Sequence, residues 1–183
     1  ILKKLQDDSG TGPDLLPAKI LKKCCRCLAL PIALLCRIML AEGCWPLSWK
    51  VHWILPLHKR KSRATQSNYR GIHLTAQLSK VVERVLAHHV LPFWIRTECF
   101  GQKQFAYTSH RGYRDALATL TFSWVWALGT GRRVAVYCSD VAGAFDCVQR
   151  ERLLLKLTAT GVHANVLKLL ESWLSERREQ VSL

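Results

Sequence analysis

Two carboxylates, Asp140 and Asp146, flank a small-residue turn and an aromatic ring in "YCSDVAGAFDCVQRERLLLKL". An aspartate at the end of a strand suits a divalent cation, because the strand fixes the backbone while the side chain projects into a cleft, and Mg²⁺ prefers such hard oxygen ligands. Small residues in "AGAF" allow a ligand or backbone to come close. Phe145, five positions after Asp140, can wall the same pocket and exclude a sugar 2′-hydroxyl by size. The same pair also suits an ordinary turn, with Asp140 capping it and Asp146 as a solvated surface acid.

A second group of chemistry-bearing residues is basic. "HKRKSRATQSNYRG" holds Lys59, Arg60, Lys61, Arg63 and Arg70 without an acid, and reads as a surface loop between two ordered elements. The whole chain leans the same way: 27 Lys and Arg against 13 Asp and Glu leave a formal charge of +14, which favours polyanion partners through counterion release. Cys24 and Cys27 form a C-x-x-C, but no second C-x-x-C or H-x-x-x-H pair follows it. Helical spacing explains both as small apolar groups, and the eight cysteines, five of them crowded between Cys24 and Cys44, read as reduced intracellular thiols.

The elements that must position these residues follow from periodicity. "SGTGPDLLPAKILKKC" opens on a turn and runs into a helix with Leu15, Leu16, Ile20 and Leu21 as its apolar positions. "CLALPIALLCRIML" is a core helix, continuing or restarting after Pro31 and ending at Glu42 and Gly43; it is too short and interrupted to span a bilayer. "WKVHWILPLHK" alternates, with Trp49, Val51, Trp53, Leu55 and Leu57 on one face and Lys50, His52 and His58 on the other. That predicts a half-exposed strand, and Pro56 makes it an edge strand or ends its regular pairing.

Further along, "QLSKVVERVLAHHVL" has helical spacing with Thr75 as its N-cap, and Leu117, Leu120, Trp124 and Leu128 form a stripe on a helix that stops at Gly129 or Gly131. "VAVYCSD" predicts a short strand that delivers Asp140 at its end, followed by helix-like "RERLLLKL" and "NVLKLLESWLSERREQ", separated by a break at Gly161. Helices alternating with isolated strands predict an α+β fold. The absence of an initiator Met and the end of the chain inside an amphipathic stretch lead to the expectation of a fragment.

Four blocks resemble the reverse transcriptase domain of non-long-terminal-repeat (LINE-type) retrotransposons. "VAVYCSDVAGAFDCV" resembles motif A, an apolar strand followed by Asp, three residues, Ala, Phe and Asp. "NYRGIHLTAQLSKVVERVL" is similar to the fingers motif, usually Asn-Tyr-Arg-Pro-Ile-x-Leu and an amphipathic helix. "SGTGPDLLPAKILKKC" is similar to the N-terminal block, and "FGQKQFAYTSHRGYRDAL" loosely to a Gln-Phe-Gly-Phe-Arg block.

The resemblance implies a right-hand polymerase fold, with residues 1–130 as the fingers region and 131–183 as the start of the palm. It implies RNA-directed DNA polymerisation with Mg²⁺, an RNA template, a DNA primer and deoxynucleoside triphosphates as partners, and a nuclear location in a eukaryote. Asp140 would be the catalytic carboxylate and metal ligand, with the carbonyl of Val141 completing part of the metal shell and Phe145 as the gate selecting deoxynucleotides. Asp146 would support the turn, and Arg70 would grip the triphosphate in the bidentate way that Lys cannot. Lys59, Arg60, Lys61 and Arg63, and more loosely Arg111, would contact phosphates or template.

The sequence departs from the pattern in three places. Gly71 stands where Pro is usual and is expected to loosen the turn after Arg70. "AYTSHRG" lacks the Gly-Phe-Arg pattern around Arg111. The Tyr-x-Asp-Asp box is missing, and two-metal chemistry needs several carboxylates, so these residues are expected not to polymerise by themselves. The alternative expectation is a non-catalytic nucleic-acid-binding relic; a zinc-binding or membrane-associated module resting on the cysteines is a third.

Overall fold

The computed structural model describes residues 1–182 and has mixed α and β architecture with one three-stranded sheet. The chain forms two compact units, residues 1–89 with 149–183, and residues 90–148.

The first unit is built on an eleven-residue apolar cluster contributed by four of its helices together with Leu2, Leu5 and Trp45, and by none of its strands. Helix α1 (Ala18–Lys23) buries Ala18 and Leu21, and α2 (Cys25–Glu42) buries Ile32, Cys36 and Met39. The first helix therefore starts later than its apolar residues suggest: Pro17 is its N-cap, and Leu15, in a left-handed conformation, is solvent-exposed. Helix α2 runs through Pro31 and ends where expected, at Gly43. Two demands select glycine there, a left-handed φ of +67° and a Cβ that would lie 2.8 Å from Lys168 Cβ.

That close approach brings in α6 (Ala164–Leu174), whose Leu169 is buried in the cluster and which follows α5 (Arg150–Ala159) after the break at Gly161. Trp45 is the hub of this corner. Its ring packs edge-on to Trp49 at 5.9 Å and Trp173 at 6.2 Å, and its backbone N–H donates to Ser172 Oγ at 2.9 Å.

The sheet has the order β2-β1-β3. Strand β1 (Val51–His58) pairs antiparallel with β2 (Tyr69–Leu74) and parallel with β3 (Arg178–Val181). Three sequence expectations change here. The stretch after Leu174 is a strand rather than more helix, and Tyr69, Arg70 and Gly71 belong to β2 rather than to a loop or turn. Gly71 lies opposite Pro56, and a Cβ on it would meet Ile54 Cγ2 at 3.0 Å.

The third change is the face of β1 that is buried. His52 and, just before the strand, Lys50 are inside, whereas Leu55 and Leu57 are 44% and 53% exposed. Alternation was legible but its direction was inverted, because the even-numbered side finds its partners in the chain that follows α6: Lys50 Nζ donates to Ser175 Oγ at 3.3 Å, and His52 Nε2 lies 3.2 Å from Glu179 Oε1 on β3. Pro56 is accommodated by position. Lys59 N–H donates to Asn68 C=O, so odd residues of β1 direct their backbone groups toward β2 and even ones toward β3. Pairing with β3 ends at Ile54, so no ladder bond is asked of the proline nitrogen.

Helix α3 (Gln77–Arg96) is capped by a residue distant in sequence rather than by Thr75. Asp14 Oδ2 accepts from Gln77 N–H at 2.7 Å, and the buried Gln77 side chain donates to Gly10 C=O. Gly12 permits this contact, since a Cβ there would lie 2.2 Å from the Thr75 carbonyl oxygen. Burial lowers the Lys80 pKa below its usual value, with the nearby Asp14 and Glu83 charges opposing that shift.

The second unit contains the end of α3 and α4 (Tyr113–Gly129), which stops as the sequence predicts, with Gly131 at a φ of +74°. Its N-terminus is held by Asp115, whose Oδ2 accepts from Gly112 N–H at 2.8 Å. The expected stripe is exposed, with Leu117, Leu120 and Leu128 at the surface.

The capping contact gives a direct test of this architecture. Asp14→Ala should cost about 1 kcal/mol in urea unfolding, the usual value of a helix cap. Gly12→Ala should cost more, because the methyl group meets backbone that cannot move aside.

Candidate nucleic-acid interface and the Asp140 segment

Strands β1 and β2 make a hairpin whose connection, residues 59–68, carries the basic run. The loop is held by side chains that grip its backbone. His58 Nε2 bonds the Lys61 carbonyl at 3.1 Å, Asn68 Nδ2 donates to the Ser62 carbonyl at 2.7 Å, and Tyr69 Oη donates to the Arg63 carbonyl at 2.9 Å. The His58 and Tyr69 rings also meet edge-on at 5.2 Å, closing the base of the loop. Lys61 adopts a φ of +72°, which turns the chain.

With the backbone tied inward, the side chains of Lys59, Arg60, Lys61 and Arg63 are left exposed, and none forms an ion pair among the described residues. Arg70 is also exposed and without an ion pair. It lies opposite Leu57 in the ladder, followed on the same face by the Leu55 and Ile72 pair. The result is a cationic loop continuing into an exposed apolar strip with a guanidinium at its near end.

The remaining sequence-predicted site residues belong to the second unit. Residues 132–141 have no regular secondary structure, so the expected strand "VAVYCSD" does not form. A strand exists through its ladder, and no described segment pairs with it; Val136 and Tyr137 are accordingly 56% and 91% exposed. Residues 142–147 then form turns in which Cys147 N–H donates to the Gly143 carbonyl at 3.0 Å.

Gly143 has a φ of +60°, and a Cβ on it would lie 3.2 Å from Asp146 Oδ2, so the Asp146 carboxylate folds over the turn. Asp140, Val141 and Phe145 are exposed, Phe145 by 86%. Asp140 and Asp146 fall in no group of three donor side chains within metal-binding reach among the described residues. This segment by itself therefore does not fit a two-ion Mg²⁺ site. Arg111 is engaged locally, with Nη1 donating to the Gln102 carbonyl at 2.6 Å and the guanidinium 5.9 Å from the Phe105 ring centroid.

The chain is similar to a transposon polymerase. It is 27% identical over 153 residues to the "Probable RNA-directed DNA polymerase from transposon BS" of Drosophila melanogaster, a match covering 83% of this chain and 17% of that protein. No family model matches the chain. The matched stretch is long enough to include both the basic hairpin and residues near Asp140 in one alignment, since 153 of 183 residues leave only 30 outside it.

Sequence reasoning missed one grouping altogether. His52, His73 and Glu179 present donor atoms within 4.8 Å of one another, on three different strands. Only the pairing of β3 with β1 makes them neighbours, and "RREQV" carried no strand signal. No described helix is long and apolar enough to cross a membrane.

The missing ladder around Asp140 has a measurable consequence. In hydrogen exchange, amides of residues 133–141 should exchange at close to unstructured rates, while those of Trp53 and Leu55, directed into the β1–β2 ladder, should be protected. Equal protection of the two segments would contradict this arrangement.

Proposed function

We propose that this chain is the fingers region, residues 1–130, and the beginning of the palm, residues 131–183, of an RNA-directed DNA polymerase of a LINE-type retroelement. The observation that carries the proposal is the similarity to a transposon RNA-directed DNA polymerase over 83% of the chain. The hairpin supports it physically, because it offers five unpaired cations and no acid to a polyanion. In this reading Lys59, Arg60, Lys61 and Arg63 bind phosphates of template or primer, and Arg70 binds the triphosphate of an incoming deoxynucleotide. Arg111 is a further contact to the template.

Asp140 and the Val141 carbonyl contribute ligands to a Mg²⁺ site that these residues do not complete. Phe145 excludes a ribose 2′-hydroxyl, and Asp146 steadies the turn that carries it. The segment accordingly binds nucleic acid without polymerising on its own.

A second reading is a retroelement relic that binds nucleic acid without metal chemistry. The exposure of Asp140 and Phe145 on an unpaired segment favours it.

A binding experiment tests the hairpin interface that both readings share, and an extension assay tests the role of Asp140 on which they differ. Replacing Lys59, Arg60, Lys61 and Arg63 together by Ala should weaken RNA binding and flatten the plot of log K against log salt by about 0.7 to 0.9 for each phosphate that is no longer neutralised. An unchanged slope would remove the hairpin from the interface. Asp140→Asn should leave RNA binding by this chain unchanged under either reading. Carried by a complete polymerase of this type, the same substitution should abolish primer extension; undiminished extension would assign Asp140 no part in catalysis.

A further inference from the structure

The register of the sheet gathers three metal-binding side chains that lie far apart in sequence. His52 is the Cα partner of Glu179 on β3, and His73 on β2 pairs with Ile54, two residues along β1 on the same face as His52. The His52 and His73 rings lie 4.9 Å apart by centroid, and His52 Nε2 is 3.2 Å from Glu179 Oε1. Gly71, two residues before His73 on that face, leaves the imidazole room: a Cβ there would lie 3.7 Å from His73 Nε2.

We propose that His52, His73 and Glu179 form a binding site for a first-row divalent cation of the Zn²⁺ type. Two imidazoles and one carboxylate are a borderline donor set that suits Zn²⁺ better than Mg²⁺, and three protein ligands leave a fourth position open to water.

His52 is 1% exposed, so its ring is fixed in place, and its Nε2 faces a Glu179 carboxylate oxygen at 3.2 Å. With the ring proton on Nδ1, the Nε2 lone pair confronts that oxygen, and a cation between the two turns the repulsion into two coordinate bonds. The donor atoms lie within 4.8 Å of one another, whereas bonds of about 2.0 to 2.2 Å to a common ion require closer approach. Glu179 and His73 supply the movement, since both are exposed while His52 is fixed in the interior.

Such an ion would clamp both outer strands to β1. It would act as a structural bolt through the sheet, independent of whether the chain takes part in polymerisation.

The test is titration of the reduced chain with Co²⁺, which reports its ligands by absorption, followed by displacement with Zn²⁺. One ion per chain is expected, with visible ligand-field bands and no thiolate-to-metal charge transfer. His73→Ala and Glu179→Gln, both at exposed side chains, should retain the far-UV circular dichroism of the parent and weaken binding by about tenfold or more each. Zn²⁺ should raise the Tm of the parent chain and not of His73→Ala. The proposal is overturned if neither ion binds at micromolar concentration, or if the His73 and Glu179 variants bind like the parent. It is equally overturned if the spectrum shows thiolate charge transfer that disappears in a Cys24→Ser, Cys27→Ser double variant.

Discussion

The sheet of the first unit depends on the backbone of β1, because neither β2 nor β3 has another strand to pair with among the described residues. The carbonyls of Lys50 and Ile54 accept the N–H groups of Arg178 and Ser182, and on the opposite edge Lys59 donates to Asn68 as the hairpin opens into its loop. β1 thereby joins the two chain segments of the unit, 1–89 and 149–183. This has a cost in side-chain placement. The edge that receives β3 takes Lys50 and His52 into the interior, and the polar groups of Ser175 and Glu179 are what make their burial tolerable.

The same dependence explains which parts of the fold were legible in the sequence. Helices α4 and α5 repeat with a local period and stop just before Gly131 and Gly161, whose left-handed backbone is a property of the residue itself. The strands β2 and β3 are not local objects. "REQV" has no strand-forming composition and becomes a strand because β1 offers it unpaired groups, whereas the β-branched and aromatic "VAVY" has the composition and lacks a partner. Propensity predicted the wrong one of the two. The burial of β1 inverted for a related reason: alternation shows that a strand has two faces, but which of them finds polar partners for its buried side chains is decided by residues more than a hundred positions away.

Candidate site residues divide along the same line. Their chemical types were readable, since a run of Lys and Arg without an acid is visible in any sequence, and so was the resemblance that selects Asp140 and Arg70. Their surroundings were not. Nothing local indicates that Asn68 and Tyr69 hold the loop carbonyls, that Arg111 is engaged by Gln102, or that the expected turn after Arg70 is a strand opposite Pro56. The capping of α3 by Asp14 is similar, because a carboxylate 63 positions away leaves no periodic signature.

The basic hairpin loop finally has to be understood as a balance of opposing forces. Four like charges within five residues repel one another and, with no acid in the loop, nothing local relieves the repulsion. Left to itself such a connection would spread apart. The bonds from His58, Asn68 and Tyr69 act on the backbone carbonyls of Lys61, Ser62 and Arg63, so they constrain the path of the chain while leaving the cationic ends free. Each is worth about 1 kcal/mol net, enough to hold the turn against screened surface repulsion that falls off over a Debye length of about 8 to 10 Å. A polyanion relieves that repulsion as it binds, and because the loop is already shaped, less ordering of its backbone opposes association. The hairpin therefore does more than carry charge: its uncharged residues keep the charges close together and ready for phosphate.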